Sequence, residues 1–305
     1  MITVKNSYTE KEAEAFVKEC EEAFFKRLDL VSGEISENRS INIIGLTGPT
    51  CSGKTTMANI LINKLEGVGK KVHVISLDDF FHDRETLDKM NKSGEIDYDS
   101  PSTIDVGLLS DCAEKILRGD RVILPKYDFL TGKRVVGDVI DADDNDMFIF
   151  EGIQVLYPEV SSLFKNSSFY RSIYICPRSA IRMGDKVFMP NDIRFLRRLV
   201  RDFNFRGASA DFTVYLWESV RKNEDKYIMP NADSCDYIID STLGYDINML
   251  SPYLREILSR PHSGRGKISE SEYRSVADRV LSEISDVQKI SRKYLFENSL
   301  YREFI

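Results

Sequence analysis

Apolar residues recur with two different periods along this chain of 305 residues. Helical spacing comes first: Ala13, Phe16, Val17, Cys20, Ala23, Phe24 and Leu28 fall on one face of a helix expected over residues 9–30, opened by a capping box of Thr9 and Glu12. That face is expected to pack on the domain or on a second subunit, so a homo-oligomer is possible. A polar connector follows over residues 32–40. Short, dense apolar runs then appear at residues 41–47, 72–77, 147–150, 169–176 and 235–240. They read as strands buried on both faces, as in a parallel sheet. Between them helical spacing returns at residues 56–65 and 106–117. Residues 121–129 and 133–136, either side of Thr131-Gly132, predict a β-hairpin. Residues 83–103 are polar and are expected to form a mobile loop. Beyond Leu243 the pattern is helical, broken by Ser, Gly and Arg at residues 259–267, with a long amphipathic helix expected over residues 270–294.

Strands alternating with helices define an α/β chain, a doubly wound parallel sheet of about five strands with helices on both faces and a side hairpin. The expected organisation is an N-terminal helix and connector over residues 1–40, the main domain over residues 41–242, and a helical extension over residues 243–305 that is not an independent domain.

Composition narrows the class. With 42% hydrophobic and 30% charged residues the chain is ordinary globular material able to bury a core. A net charge of −7 argues against nucleic acid as the main partner. The five cysteines are scattered, with no C-x-x-C, which suits a reducing compartment. No secretory h-region and no apolar run long enough to span a bilayer is present, so a cytoplasmic protein without a membrane partner is expected. Three histidines make a His-rich metal site or a Ser-His-Asp engine a poor reading.

The chemistry concentrates after the first strand. Gly48-Pro49-Thr50-Cys51-Ser52-Gly53-Lys54-Thr55 reads G-x-x-x-x-G-K-T, lying between an apolar strand and a helix. In that order the glycines let backbone N–H groups converge on phosphate oxygens, reinforced by the helix N-terminus. Gly48, Ser52, Gly53, Lys54, Thr55 and Thr56 are therefore expected to hold a nucleotide, with Lys54 on the β- and γ-phosphates and the Thr55 hydroxyl on Mg²⁺. Asp78 ends the second strand, and ligands of open parallel sheets bind beyond such ends. Glu151 ends the third strand, a position from which a carboxylate could hold Mg²⁺ or its water. Arg194, Arg197, Arg198 and Arg201 share one side of a helix, and Arg206 follows. Acidic residues are scarce around them in the sequence, so the face suits a lid that closes on phosphates. No N-K-x-D follows a suitable strand, since Asn91-Lys92-Ser93-Gly94 lacks the Asp, which disfavours a guanine-specific GTPase.

The ordered pieces resemble the uridine kinase and phosphoribulokinase family of P-loop kinases. The resemblance rests on Gly48 to Thr55, Ile75-Ser76-Leu77-Asp78-Asp79-Phe80-Phe81, Asp97-Tyr98-Asp99-Ser100-Pro101, Pro125-Lys126-Tyr127-Asp128-Phe129, Phe150-Glu151-Gly152-Ile153 and the run from Asp192 to Gly207. A nearer likeness is to bacterial uridine-kinase-like nucleoside kinases, carried by His82-Asp83-Arg84-Glu85, Leu130-Thr131-Gly132-Lys133-Arg134, Trp217 to Glu224 and the closing Ser299 to Ile305. The resemblance implies strand order 2-3-1-4-5, counting residues 41–47 as the first strand. It implies Asp78 as the base that takes a proton from a ribose 5′-hydroxyl. Asp99 would bond the ribose hydroxyls with Arg198 nearby, while Tyr98, Tyr127 and Phe129 would shape the nucleoside pocket. Arg201 and Arg206 would stabilise charge on the phosphates.

Two departures bear on the acceptor. Uridine–cytidine kinases place a base-reading histidine where this chain has Gly132, and a base-reading arginine where it has Ala208. Lys133, Arg134 or Trp217 could restore pyrimidine reading by another route. The leading expectation is an ATP- and Mg²⁺-dependent kinase of a nucleoside hydroxyl. The alternatives are a kinase of another small alcohol, such as a sugar phosphate or vitamin precursor, and a nucleotide-binding regulatory module without turnover.

Overall fold

A computed structural model describes residues 1–90, 98–143, 145–164, 167–265 and 267–305. Its strands in chain order are β1 (Ile2–Val4), β2 (Ile43–Thr47), β3 (Lys71–Ser76), β4 (Arg121–Asp128), β5 (Lys133–Asp141), β6 (Asp146–Glu151), β7 (Tyr170–Cys176), β8 (Ile181–Met183), β9 (Lys186–Phe188) and β10 (Tyr237–Asp240). Five of them form the central sheet in the order β3-β6-β2-β7-β10, every neighbouring pair parallel. This is the 2-3-1-4-5 order that the resemblance implies.

Alternation along each strand divides the core in two. On β6, Met147 and Ile149 join one apolar cluster while Phe148 and Phe150 join the other. On β2, Ile44 and Leu46 face the first cluster and Ile43 the second. Successive side chains of a strand point to opposite faces, so a fully apolar run buries both.

The helices are α1 (Glu10–Glu37), α2 (Lys54–Gly67), α3 (Arg84–Met90), α4 (Val106–Leu117), α5 (Pro158–Phe164), α6 (Pro190–Arg206), α7 (Ala210–Asn223), α8 (Met229–Ala232), α9 (Asp246–Leu258) and α10 (Glu270–Glu283). The first cluster packs α1, α2, α6, α9 and α10 on one face of the sheet; the second packs α4, α5 and the β4–β5 hairpin on the other. Among the described residues no helix is long and apolar enough to cross a membrane.

Several boundaries differ from the sequence reading. The Thr9–Glu12 capping box forms as expected, but α1 runs on through the expected connector to Glu37. Ile35 is 1% exposed there, and burying it outweighs the poor helix propensity of Ser32-Gly33. The expected helix over 270–294 stops at Glu283, because the chain bends to bury Val287 and Ile290, and the Ile290 N–H donates to the Asn248 carbonyl at 3.2 Å. The hairpin extends past residue 136 to Asp141. The expected loop at 83–103 begins with α3, and residues 91–97, with Asp97 and the Asn91 to Gly94 stretch, lie outside the described residues. A second, three-stranded sheet was absent from the sequence reading: β1 pairs parallel with β8, which turns back on β9. Strands of three residues carry too little alternation to show.

Candidate active site at the carboxyl edge of the sheet

The phosphate loop leaves β2 and enters α2 pressed against β7. A Cβ at Gly48 would lie 2.1 Å from the Ile175 carbonyl oxygen, so only glycine lets the backbone pass so closely. Cys51 and Gly53 take left-handed conformations, φ 58° and 101°. Such reversals turn successive N–H groups into an anion-binding concavity. The Ser52 hydroxyl is buried with no hydrogen-bond partner, an orphan that a phosphate oxygen would satisfy. Lys54 Nζ donates to the carbonyls of Gly48 (2.9 Å) and Pro49 (3.4 Å), and Thr55 is exposed at the helix start. Thr56 is engaged from the far end of the chain: its N–H and hydroxyl both donate to Glu303 Oε1, at 2.8 and 2.6 Å.

Two carboxylates stand beside the loop. Asp78 lies in the 3-10 turn Leu77–Phe80 after β3, and its Oδ1 accepts from Gln154 Nε2 at 2.6 Å. Burial raises the Asp78 pKa; the Gln154 hydrogen bond and the Lys54 charge lower it, without cancelling the burial effect. Glu151 ends β6 and is also raised, first by burial, then by the charges of Asp78 and Glu303, against Lys54. Among the described residues no group of three or more His, Cys, Asp or Glu could hold a metal ion by itself. Mg²⁺ commonly takes one or two protein oxygens and completes its shell with phosphates and water, so Thr55 with Glu151 fits that ion.

The aromatic residues Tyr98, Tyr127 and Phe129 gather around Phe81, in the segment that follows Asp78. Phe81 is the hub, its ring centroid 5.5 Å from Tyr98, 5.6 Å from Tyr127 and 6.3 Å from Phe129, with Tyr127 and Phe129 5.0 Å apart. Asp79 fastens this wall to β3 by accepting from the Tyr127 N–H at 3.0 Å and Lys126 Nζ at 3.2 Å. Asp99 accepts from Asn223 Nδ2 at 3.1 Å, and its carbonyl accepts from the Tyr157 hydroxyl at 2.5 Å. Arg198 donates to Asp202 at 3.1 Å.

The arginine helix departs from the sequence reading. Arg194 and Arg197 are completely buried, and acidic residues distant in sequence neutralise them. Arg194 makes a two-pronged pair with Glu224, and Arg197 one with Asp246 at 2.8 Å on each prong. Both also hold the outside of the phosphate loop: Arg194 Nε donates to the Thr50 carbonyl (3.1 Å) and Arg197 Nη1 to the Cys51 carbonyl (3.4 Å). They fix the loop's backbone from behind and do not line a solvated face. Arg201 spans both roles, donating to Asp202 and, from Nη1, to Thr50 Oγ1 at 3.1 Å. Arg206 has an exposed side chain whose Nε lies 3.6 Å from Asp202.

Sequence reasoning missed the residues that orient others. Gln154 follows Glu151 by three positions and could have been found by extending the strand-end motif into the next turn. Asp202 and Glu303 sit inside quoted motifs but reveal their partners only in the fold. Arg84 was missed too: its side chain lies over Gly132, where a Cβ would be 2.8 Å from Arg84 Cβ and Nε, and its Nη2 donates to the Phe129 carbonyl at 3.2 Å.

A glycine-rich phosphate loop at the carboxyl edge of a 2-3-1-4-5 parallel sheet, with carboxylates at the end of the adjacent strand β6 and just past β3 beyond it, defines a P-loop kinase. Residues 43–248 match the Phosphoribulokinase / Uridine kinase family, and the chain belongs to that family. It is 30% identical over 222 residues to "Uridine kinase" of Lactobacillus helveticus, an alignment covering 72% of this chain and 96% of that protein. It is 30% identical over 200 residues to "Uridine kinase-like protein 5" of Arabidopsis thaliana, covering 65% of this chain but only 38% of that longer protein. Among solved structures it is similar to "Structure of a Possible Uridine Kinase from Bacillus stearothermophilus", 20% identical, TM-score 0.46, covering 72% of this chain and all of that one.

Proposed function

We propose that this protein transfers the γ-phosphoryl group of ATP to a hydroxyl of a nucleoside, most simply the ribose 5′-hydroxyl. The observation that carries the reading is Asp78: a carboxylate held by Gln154 beside the phosphate loop, on the side of the sheet where the Phe81, Tyr98, Tyr127 and Phe129 rings collect. A base in that place can take the acceptor's proton as the phosphoryl group arrives. Lys54, Arg201 and Arg206 would offset charge on the transferring group, and Thr55 and Glu151 would hold Mg²⁺, which bridges and neutralises the phosphate oxygens. The ring cluster would cover the flat base, and Asp99, oriented by Asn223, would accept from ribose hydroxyls.

The test is to incubate the protein with ATP, Mg²⁺ and a panel of nucleosides and sugar alcohols and to measure ADP. ADP formed with a nucleoside and lost in Lys54→Ala supports the reading. ADP formed only with a sugar alcohol would move the acceptor to another class. Tight ATP binding with no acceptor-dependent ADP would make the chain a nucleotide-binding module.

A further inference from the structure

Glu303, two residues from the last, reaches the phosphate loop. One of its oxygens accepts from the Thr56 N–H at 2.8 Å and from the Thr56 hydroxyl at 2.6 Å. Thr56 lies in the first turn of α2, where N–H groups have no partner within the helix and where a phosphate loop presents donors to its ligand. A carboxylate is chemically the nearest side-chain equivalent of a phosphate edge: anionic, acceptor-only, with two oxygens.

The segment that carries Glu303 is built in. Leu300, Tyr301 and Phe304 are fully buried, and Leu300 packs directly over Gly53. The Tyr301 hydroxyl and the Arg197 guanidinium share the Asp246 carboxylate, Ser299 Oγ donates to buried Glu21, and Asn204 Nδ2 holds the Phe304 carbonyl at 2.9 Å. Of the four residues from Leu300 to Glu303, only Arg302 and Glu303 have side chains outside the core. A change at Thr56 therefore needs Glu303 to swing about its side-chain bonds while the backbone stays docked.

We propose that Glu303 is an internal phosphate surrogate: its carboxylate and the phosphate chain of the donor nucleotide compete for the Thr56 donors. It satisfies those donors when no nucleotide is bound and sets how tightly a nucleotide binds, because each binding event must displace a carboxylate that also adds negative charge beside Glu151. The inference rests on the phosphate loop being the nucleotide site.

The test compares wild type with Glu303→Gln and Glu303→Ala. Dissociation constants for ADP and for Mg²⁺-ATP are measured by calorimetry, and melting temperatures with and without ADP. The expected result is a lower melting temperature for each variant without nucleotide, together with at least tenfold tighter ADP binding and a larger ADP-induced rise in melting temperature. A carboxylate that only braced the fold would lower the melting temperature and leave affinity unchanged or weaker, and that result would overturn the proposal. If wild type and both variants bind neither ADP nor Mg²⁺-ATP, the assignment of the loop as a nucleotide site fails, and the proposal falls with it. Binding by wild type with no gain in the variants overturns the surrogate role alone.

Discussion

Gln154 donates its side-chain amide to Asp78 across the mouth of the site, at 2.6 Å. The bond has a direction in pKa as well as in space. Burial pushes the Asp78 carboxyl up, and the Gln154 N–H, by favouring the ionised form, pulls it part of the way back. If Asp78 is the base, it works only when ionised, so the acid limb of kcat/KM lies above the ordinary carboxylate range. Gln154→Leu removes the stabilising donor, and the limb is expected to move to higher pH while the alkaline plateau changes less. A pH profile of both proteins checks this; a limb that stays in place would remove Gln154 from the catalytic group.

The same burial has a consequence for stability. A carboxyl whose folded pKa is raised above its unfolded value holds its proton better in the folded state. Its contribution therefore becomes unfavourable as pH rises from the unfolded value through the raised folded one, and stays so above it. Asp78 and Glu151 both behave this way. Asp78→Asn is thus expected to raise the melting temperature at pH 7 to 8, with the gain vanishing below the unfolded pKa of about 4. The same substitution should cut kcat by roughly 10²- to 10⁴-fold, as loss of a general base does. Melting curves at pH 3.5 and pH 7.5 beside a rate assay separate the two effects.

The arginines of α6 divide into two kinds, and mutation should separate them. Arg197 and Asp246 are both completely buried and joined by two hydrogen bonds. Removing one partner strands the other charge, so Arg197→Met is expected to cost about 3–5 kcal/mol in urea unfolding. Arg206 is exposed, and Arg206→Ala should leave stability within about 0.5 kcal/mol. If Arg206 meets the transferring group, the same change lowers kcat by roughly 10²-fold or more. Loss of stability without loss of rate in Arg206→Ala would reverse the assignment.

These differences show what the sequence could and could not carry. The five parallel strands were legible because each is a short, dense apolar run, although only the inner β6, β2 and β7 are buried on both faces while the edge strands β3 and β10 leave Val74 and Ile238 exposed; the glycine loop was legible because its spacing and flanking elements are fixed by phosphate geometry. The arginine face was misread. Residues 190–206 hold few acids, but Glu224 and Asp246 arrive from other helices, and charge pairing across the fold leaves no local trace. Glu303 was invisible for the same reason: it lies 247 positions from Thr56. Residues 32–37 were misread because burial of Ile35 decides their conformation, and local propensity points the other way.

At the tip of the β4–β5 turn Gly132 has φ 68°, and any side chain there would run into Arg84. A histidine restored at this position would face backbone strain of about 1–3 kcal/mol as well as that clash. Gly132→His is therefore expected to destabilise the protein without making it a pyrimidine-specific enzyme. Two of the other candidate readers are engaged elsewhere: Arg134 donates to Asp105 at 2.7 Å, and Trp217 lies against Phe195 and beneath Arg194. Arg84 stands at this corner over Gly132, its Nη2 on the Phe129 carbonyl at 3.2 Å. It offers donors only, so it matches bases that present paired acceptors, as the O6 and N7 edge of guanine and hypoxanthine does, better than the amino group of adenine. Uridine, cytidine, adenosine, guanosine and inosine compared at equal concentration should show inosine and guanosine used better than adenosine, and Arg84→Met should narrow that gap. Asp99→Asn should depress all five together, because the ribose is common to them. Exclusive use of uridine and cytidine, by a hundredfold or about 2.7 kcal/mol, would mean that pyrimidine reading has survived the loss of both side chains and that the role given to Arg84 is wrong.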